Sequence, residues 1–126
     1  MREVEFRGKS KLTGKWVYGN LIIKRQKRKV ETLENELYDY KYSIQHLNSK
    51  GKYTTVEVIE DTIGQFVGEG EYGRIYEGMK LYDEYAEDFC SIYYDEDDCA
   101  FRLDYDSNFS ERIEGLNGLR IVTEGE

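Results

Sequence analysis

Short segments in which apolar and polar residues alternate recur along the chain, and a period of two is typical of strands with one buried face. The clearest segment is residues 38–44, where Tyr38, Tyr40 and Tyr42 alternate with polar residues. Residues 53–59 (YTTVEVI) follow a loop and are predicted to pair with it as a hairpin. Further short strands are predicted at residues 2–7, 15–23, 65–67, 74–82, 89–94, 99–105 and 119–122.

One segment has a helical period instead. In residues 30–37 (VETLENEL) the apolar side chains stand at positions 30, 33 and 37, which predicts a short helix or helical turn. The chain has 126 residues, enough for one compact domain or two very small ones. It contains no proline, which excludes a proline-rich linker. Short strands with one helical segment predict an α+β fold made mostly of short β-strands.

Charge divides the chain into two unlike halves. Residues 1–52 hold 13 Lys and Arg against 6 Asp and Glu, whereas residues 53–126 hold 5 against 20, and the net charge is −8. The overall negative charge disfavours unassisted adhesion to nucleic acid or to an anionic membrane. The asymmetry indicates either a basic face for an anionic partner or a basic region that docks on the acidic region of its own chain or of a neighbour.

The strongest concentration of positive charge is the run KRQKRK at residues 24–29. Basic residues beside aromatic ones can contact phosphates and stack on bases. The alternative is a solvated loop, or one that docks on the chain's own acidic half. The candidate partner-binding residues are Lys24, Arg25, Lys27, Arg28, Lys29 and Trp16.

The glycine-rich segment GEGEYG at residues 68–73 matches the GxGxxG pattern of nucleotide-binding loops. A kinase would need several downstream motifs, for which the remaining 53 residues are too few. A dinucleotide-binding fold would need a helix at the third glycine, whereas the residues that follow indicate a strand. The segment is therefore interpreted as a flexible hairpin loop.

Residues for catalysis or metal binding are few. His46 is the only histidine, and the sequence holds no GxSxG or cysteine-protease signature. The acidic residues from Asp95 onward lack the glycine and glutamate positions of an EF-hand. The DEDD run at residues 95–98 is predicted to be a hairpin loop with Tyr94 opposite Cys99, so that Cys90 and Cys99 share one core face. We therefore expect no enzyme activity, no cofactor and no metal.

No apolar run approaches the roughly 20 residues of a membrane span, and the first residues (MREVEFRGKS) lack the apolar core of a signal peptide. The expectation is a soluble protein of the cytoplasm.

Three segments, REVEFRG with LTGKWVYGNL, VIEDTIGQFVG and RIYEGMKL, resemble the YopX family of small bacteriophage and prophage proteins. Met79 stands where the family usually has Asp, and the family's C-terminal ending is replaced by GLNGLRIVTEGE. The matching positions are Arg2, Phe6, Arg7, Trp16, Tyr18, Gly19, Asp61, Thr62, Gly64, Gln65, Phe66, Gly68, Ile75, Tyr76, Glu77 and Gly78.

The resemblance implies a basic α+β part at residues 1–60, followed at residues 61–126 by an acidic SH3-like small β-barrel, in a bacterial host cell. It brings no catalytic residues with it. We expect a non-enzymatic module that binds a macromolecule, with a host or phage protein as the first choice of partner. The alternatives are an acidic DNA mimic that uses residues 83–106, a nucleic-acid binder that uses residues 24–29, and self-association through tyrosine-rich strands.

Overall fold

The structure is a computed structural model that describes residues 5–27 and 38–122. It divides into two compact units: the N-terminal unit, Glu5–Ile63, and the C-terminal unit, which begins at Gly64. In the described residues no helix is long and apolar enough to cross a membrane.

The N-terminal unit contains four antiparallel strands in the order β4-β3-β2-β1. The predicted hairpin of residues 38–44 and 53–59 is confirmed, with Ile44 opposite Val56. Ile44 and Val58 are buried at the centre of this unit. The elements are β1 (Phe6–Lys9), β2 (Trp16–Lys27), β3 (Tyr38–Leu47), β4 (Tyr53–Glu57) and a 3₁₀ turn (Glu60–Thr62).

The C-terminal unit contains a hairpin, β5–β6, and a five-stranded antiparallel sheet in the order β10-β9-β8-β7-β11. Alternate residues of the central strands face one core, which includes Leu81, Cys90, Ile92 and Leu103. The strands are β5 (Gly64–Gly70), β6 (Gly73–Tyr76), β7 (Lys80–Asp83), β8 (Asp88–Asp95), β9 (Ala100–Tyr105), β10 (Ser110–Arg112) and β11 (Leu119–Ile121).

The predicted α+β class is wrong. Within residues 5–27 and 38–122 the regular elements are antiparallel strands and one 3₁₀ turn, with no α-helix. In the described strands buried and more exposed residues alternate, as in β7, and this period of two is that of a strand and not of a helix. The SH3-like barrel stays a prediction; the described part of this unit forms a hairpin and a five-stranded sheet whose edge strands are β10 and β11. The helix predicted at residues 30–37 lies outside the described residues.

The predicted strand at residues 74–82 is two strands. Gly78 has a φ of +87°, and its N–H donates to the carbonyl of Ile92 rather than continuing the β5–β6 ladder. A left-handed glycine turns the backbone at low steric cost, which lets β7 start a new pairing at Lys80.

The β8–β9 hairpin has a different register from the predicted one, since Tyr94 pairs with Phe101 and Asp95 with Ala100. The Oδ1 atom of Asp95 accepts hydrogen bonds from the backbone N–H groups of Asp97 and Asp98, which places the turn one residue later than the DEDD run. Cys99 is therefore an exposed turn residue, and the prediction that it shares a core face with Cys90 is wrong.

Candidate functional site

The ends of β2 and β3 form a two-stranded ribbon, residues 24–27 with residues 38–41. Lys24 pairs with Lys41, Arg25 with Tyr40, and Lys27 with Tyr38. The pairing of β1 with β2 stops at Gly19, and that of β4 with β3 starts at Ser43. Among the strands that the structure describes, the ribbon therefore has no further neighbour on either edge, and seven of its eight residues are exposed.

One face of this ribbon carries aromatic rings and cations together. Directly opposed residues of an antiparallel pair share a face, and side chains two positions apart on a strand do so as well. The pairs Lys27 with Tyr38 and Arg25 with Tyr40 therefore lie on the face that Tyr42 continues. We call these five residues the tyrosine face.

The tyrosine face is ordered by a cation–π contact. The guanidinium carbon of Arg25 lies 4.3 Å from the centre of the Tyr38 ring. Tyr40 leaves 55% of its surface exposed. Tyr42 is half-buried, and burial, with a hydrogen bond to Glu60, raises the pKa of its phenol. The exposure of the rings thus increases from Tyr42, at the edge of the core, to Tyr40, which faces solvent.

The opposite face of the ribbon carries two lysines in opposed positions. Lys24 is directly opposite Lys41, and both are exposed. Like charges in directly opposed positions destabilise a strand pair. Lys41 has one carboxylate nearby, since its charge, after the larger effect of the Lys11 hydrogen bond, helps to lower the pKa of Glu57. An anion bound between the two lysines would relieve the remaining repulsion.

The structure brings together only part of the site predicted from sequence. Lys24, Arg25 and Lys27 are neighbours, although they belong to a strand rather than to the predicted loop. Arg28 and Lys29 lie outside the described residues.

Trp16 stands eight residues from Lys24 on β2, about 26 Å away at 3.3 Å per residue. The guanidinium of Arg7 lies 3.7 Å from the Trp16 ring centre, and Arg7 itself is buried. This tryptophan therefore belongs to the packing between β1 and β2, and we do not count it with the ribbon.

Sequence reasoning missed Tyr38, Tyr40 and Lys41 as members of the site. The alternation of tyrosines in residues 38–44 predicts a half-buried strand and, as one alternative, self-association, and neither prediction links it to the basic run. Only the register of β2 against β3 shows that these tyrosines face the basic residues.

The GEGEYG segment lies in a hairpin, as predicted, but four of its six residues belong to strands β5 and β6 and only Glu71 and Tyr72 form the turn. Its glycines also fit the packing, since a Cβ at Gly68 would lie 2.7 Å from the Leu116 side chain, and one at Gly70 2.8 Å from the Leu116 carbonyl oxygen. These glycines allow a close approach of residues within the C-terminal unit, a structural role for the motif.

A polar cluster in the C-terminal unit joins Asp83, Tyr105 and Glu111. The Tyr105 oxygen lies 2.5 Å from Oδ2 of Asp83 and 3.0 Å from Oε1 of Glu111. Burial, with these two hydrogen bonds, raises the pKa of the Tyr105 phenol. Both carboxylates line an open cavity of about 420 Å³. Because Asp83 already accepts hydrogen bonds from Tyr105 and from two backbone N–H groups, we interpret the cluster as a structural tie.

The acidic turn of residues 95–98 is partly neutralised by arginine. Arg102 contacts Asp95 at 3.9 Å and Asp98 at 3.3 Å, and Arg112 contacts Asp98 at 3.9 Å. In the part of the chain that the structure describes, no three His, Cys, Asp or Glu side chains are grouped to hold a metal ion.

His46 and Cys90 are not among the residues of the ribbon. His46 lies on β3 opposite Thr54. Burial, together with the negative charge of Asp83, raises the pKa of the Cys90 thiol to about 12. Because the thiolate is the nucleophile, Cys90 is a poor candidate for covalent catalysis at neutral pH.

No family model matches the chain, and no curated protein or solved structure matches it either. The resemblance to the YopX family therefore stays a prediction from the quoted motifs.

Proposed function

We propose that the chain is a non-enzymatic module that binds nucleic acid through the ribbon of residues 24–27 and 38–41. The observation that carries this proposal is the cross-strand pair of Lys24 and Lys41, two exposed lysines in directly opposed positions. Arg25 and Lys27 add two cations to the same ribbon, against the single carboxylate of Asp39.

The release of counterions from the nucleic acid would supply much of the binding free energy. The ribbon carries two cations on each face, and a strand that passes over its edge can contact both pairs. Each neutralised phosphate releases condensed ions to solution. The ribbon needs no conformational change to present these cations, because both strands are already paired. A host or phage protein that offers an acidic surface would use the same side chains, and the experiment below separates the two classes of partner.

A second candidate function comes from the charge of the C-terminal unit. Residues 64–122 hold 15 Asp and Glu against 5 Lys and Arg, the composition of an acidic mimic of DNA. The ion pairs that Arg102 makes with Asp95 and Asp98 reduce the row of free carboxylates that such mimicry needs. The basic ribbon is therefore the stronger proposal.

The test is a titration of dye-labelled oligonucleotides of mixed sequence, followed by fluorescence anisotropy at 50 and 200 mM salt. With about four phosphates neutralised, this rise in salt should weaken binding by about 100-fold. The triple variant Lys24→Ala, Lys27→Ala, Lys41→Ala should lose most of the affinity and most of the salt dependence.

The matched control is the triple variant Lys15→Ala, Lys50→Ala, Lys52→Ala. It removes the same number of charges from exposed lysines of the same unit, away from the ribbon. The control should bind within about threefold of the unmodified protein, since the long-range effect of net charge is screened beyond about 10 Å at 0.1 M salt. Equal losses in both variants, or no binding of any oligonucleotide at 50 mM salt, would contradict the proposal. Competition between the protein and duplex DNA for a DNA-binding protein would instead support the mimic.

A further inference from the structure

The tyrosine face of the ribbon presents aromatic rings beside its cations, and phosphate binding alone does not use these rings. Side chains two positions apart on a strand are separated by about 6.6 Å. Tyr38 and Tyr40 therefore stand next to each other on one surface, with Lys27 and Arg25 opposite them. Each ring is thus flanked by a cation on the neighbouring strand.

The most open ring on this face is Tyr40. It is 55% exposed, whereas Tyr38 is covered on one side by the Arg25 guanidinium at 4.3 Å and Tyr42 is half-buried. An exposed aromatic ring on a flat strand pair offers an apolar surface that water solvates poorly. The flat face of a nucleobase is a partner of matching size and shape.

Nucleic acid can meet this ring only if its bases are unstacked. In a duplex the flat faces of the bases are buried against their neighbours, and only their edges are reached from the grooves. In a single strand the bases can turn outward and stack on aromatic side chains, while cations beside the rings contact the backbone. The alternation of tyrosine and cation across the two strands therefore fits a single strand better than a duplex.

We propose that the tyrosine face binds single-stranded nucleic acid, with a base stacked on Tyr40 and the flanking phosphates bound by Arg25 and Lys27. This inference rests on the proposed function and narrows it to one form of nucleic acid. The Arg25–Tyr38 contact forms a second flat platform next to the Tyr40 ring. Stacking on either platform is tolerant of base identity, since every base has a flat face.

The experiment compares one 20-nucleotide strand with its blunt duplex at the same salt concentration, using the full chain. The single strand should bind at least tenfold more tightly. Tyr40→Ala should weaken single-strand binding by about 5- to 100-fold, the effect expected for loss of one base–aromatic stack. Tyr40→Phe should bind within about threefold of the unmodified protein, because stacking uses the ring and not the hydroxyl.

The matched control for the loss of an aromatic side chain is Tyr53→Ala. Tyr53 lies on β4 of the same unit and is 69% exposed, so its removal tests for a general effect of losing a surface tyrosine. Circular dichroism and the Tm of each variant establish that it is folded. Should Tyr40→Ala fail to fold, Tyr40→Leu, which keeps an apolar side chain without a flat ring, should show the same loss of single-strand binding.

A direct readout is photo-crosslinking of a bromouridine-substituted strand, followed by mass spectrometry of the peptides. An adduct on Tyr40 or Tyr38 is expected. A preference for the duplex, or equal binding by Tyr40→Ala and the unmodified protein, would overturn the single-strand inference and leave the proposed function standing. Absence of binding to both forms of nucleic acid would overturn the two together.

Discussion

The hydroxyl of Tyr105 donates a 2.5 Å hydrogen bond to Oδ2 of Asp83, and this bond links β9 to the end of β7 across the intervening strand β8. The other oxygen of Asp83 accepts hydrogen bonds from the backbone N–H groups of Tyr85 and Ala86. One buried carboxylate thus ends β7, shapes the turn that follows and holds the third strand of the sheet.

Removing this hydrogen bond should destabilise the chain. In Tyr105→Phe the ring remains in the core while Asp83 loses its side-chain donor, and the expected cost is about 1–3 kcal/mol. Urea denaturation followed by circular dichroism measures the free energy of unfolding. Tyr94→Phe is the control, because Tyr94 is 43% exposed and should change stability by less than about 0.5 kcal/mol. Equal stability of the two variants would mean that the Tyr105–Asp83 bond contributes nothing to the fold.

The stability of the chain should fall in alkali. Burial raises the pKa of the Cys90 thiol from 9.0 to about 12, so the folded state keeps this proton over a range in which the unfolded chain loses it. The stabilising contribution is complete below pH 9 and is lost as the pH rises towards 12. The free energy of unfolding, measured between pH 7 and 11, should decline less steeply above pH 9 in Cys90→Ala. The same curve for Cys99→Ala should keep the slope of the unmodified protein.

The backbone that follows β6 lies so close to the start of β5 that a side chain at Gly64 should destabilise the fold. A Cβ there would lie 2.2 Å from the carbonyl oxygen of Glu77, a contact that the backbone must move to avoid. Gly64→Ala should lower the Tm by several degrees, whereas Gly115→Ala in the same unit, with no atom within 4 Å of the added carbon, should leave it nearly unchanged. Similar Tm values for both variants would argue against this packing.

The exposed pair of Glu84 and Arg120 should be visible in an acid titration. Hydrogen bonds from Arg120 and Tyr72 lower the pKa of the Glu84 carboxyl below its usual value. Any stability that the pair contributes is therefore present above the pKa of Glu84 in the unfolded chain. It is lost as the pH falls through the pKa of Glu84 in the folded chain. In Arg120→Ala, NMR of the Glu84 side-chain carbon should show this pKa moving back up. An unmoved pKa would show that Arg120 is not its cause.

The sequence was sufficient for the β3–β4 hairpin, because residues 38–44 alternate strongly and a short polar loop leads to a second strand. It was not sufficient for the β8–β9 register, which depends on Asp95 capping the turn with its own side chain. Strong alternation of apolar and polar residues predicts a strand. The register of that strand, and so the residue opposite each side chain, depends on the geometry of a single turn residue.

The candidate site could also be predicted only in part from the sequence. Residues 24–27 contain no apolar residue, so their pattern gives no sign of a strand and predicts a loop. Their strand geometry comes from pairing with Tyr38, Tyr40 and Lys41, more than ten residues further along the chain. The positive charge was readable locally, but the tyrosine face exists only through a nonlocal register.

The unequal burial of the two cysteines gives the molecule a natural attachment point for a probe. Cys99 is exposed in the β8–β9 turn, whereas the Cys90 thiol is buried and protonated at neutral pH. A maleimide dye should therefore modify one thiol per native chain at pH 7 and two after denaturation. A fluorophore placed in this way can report oligonucleotide binding by energy transfer while every residue of the ribbon stays unchanged.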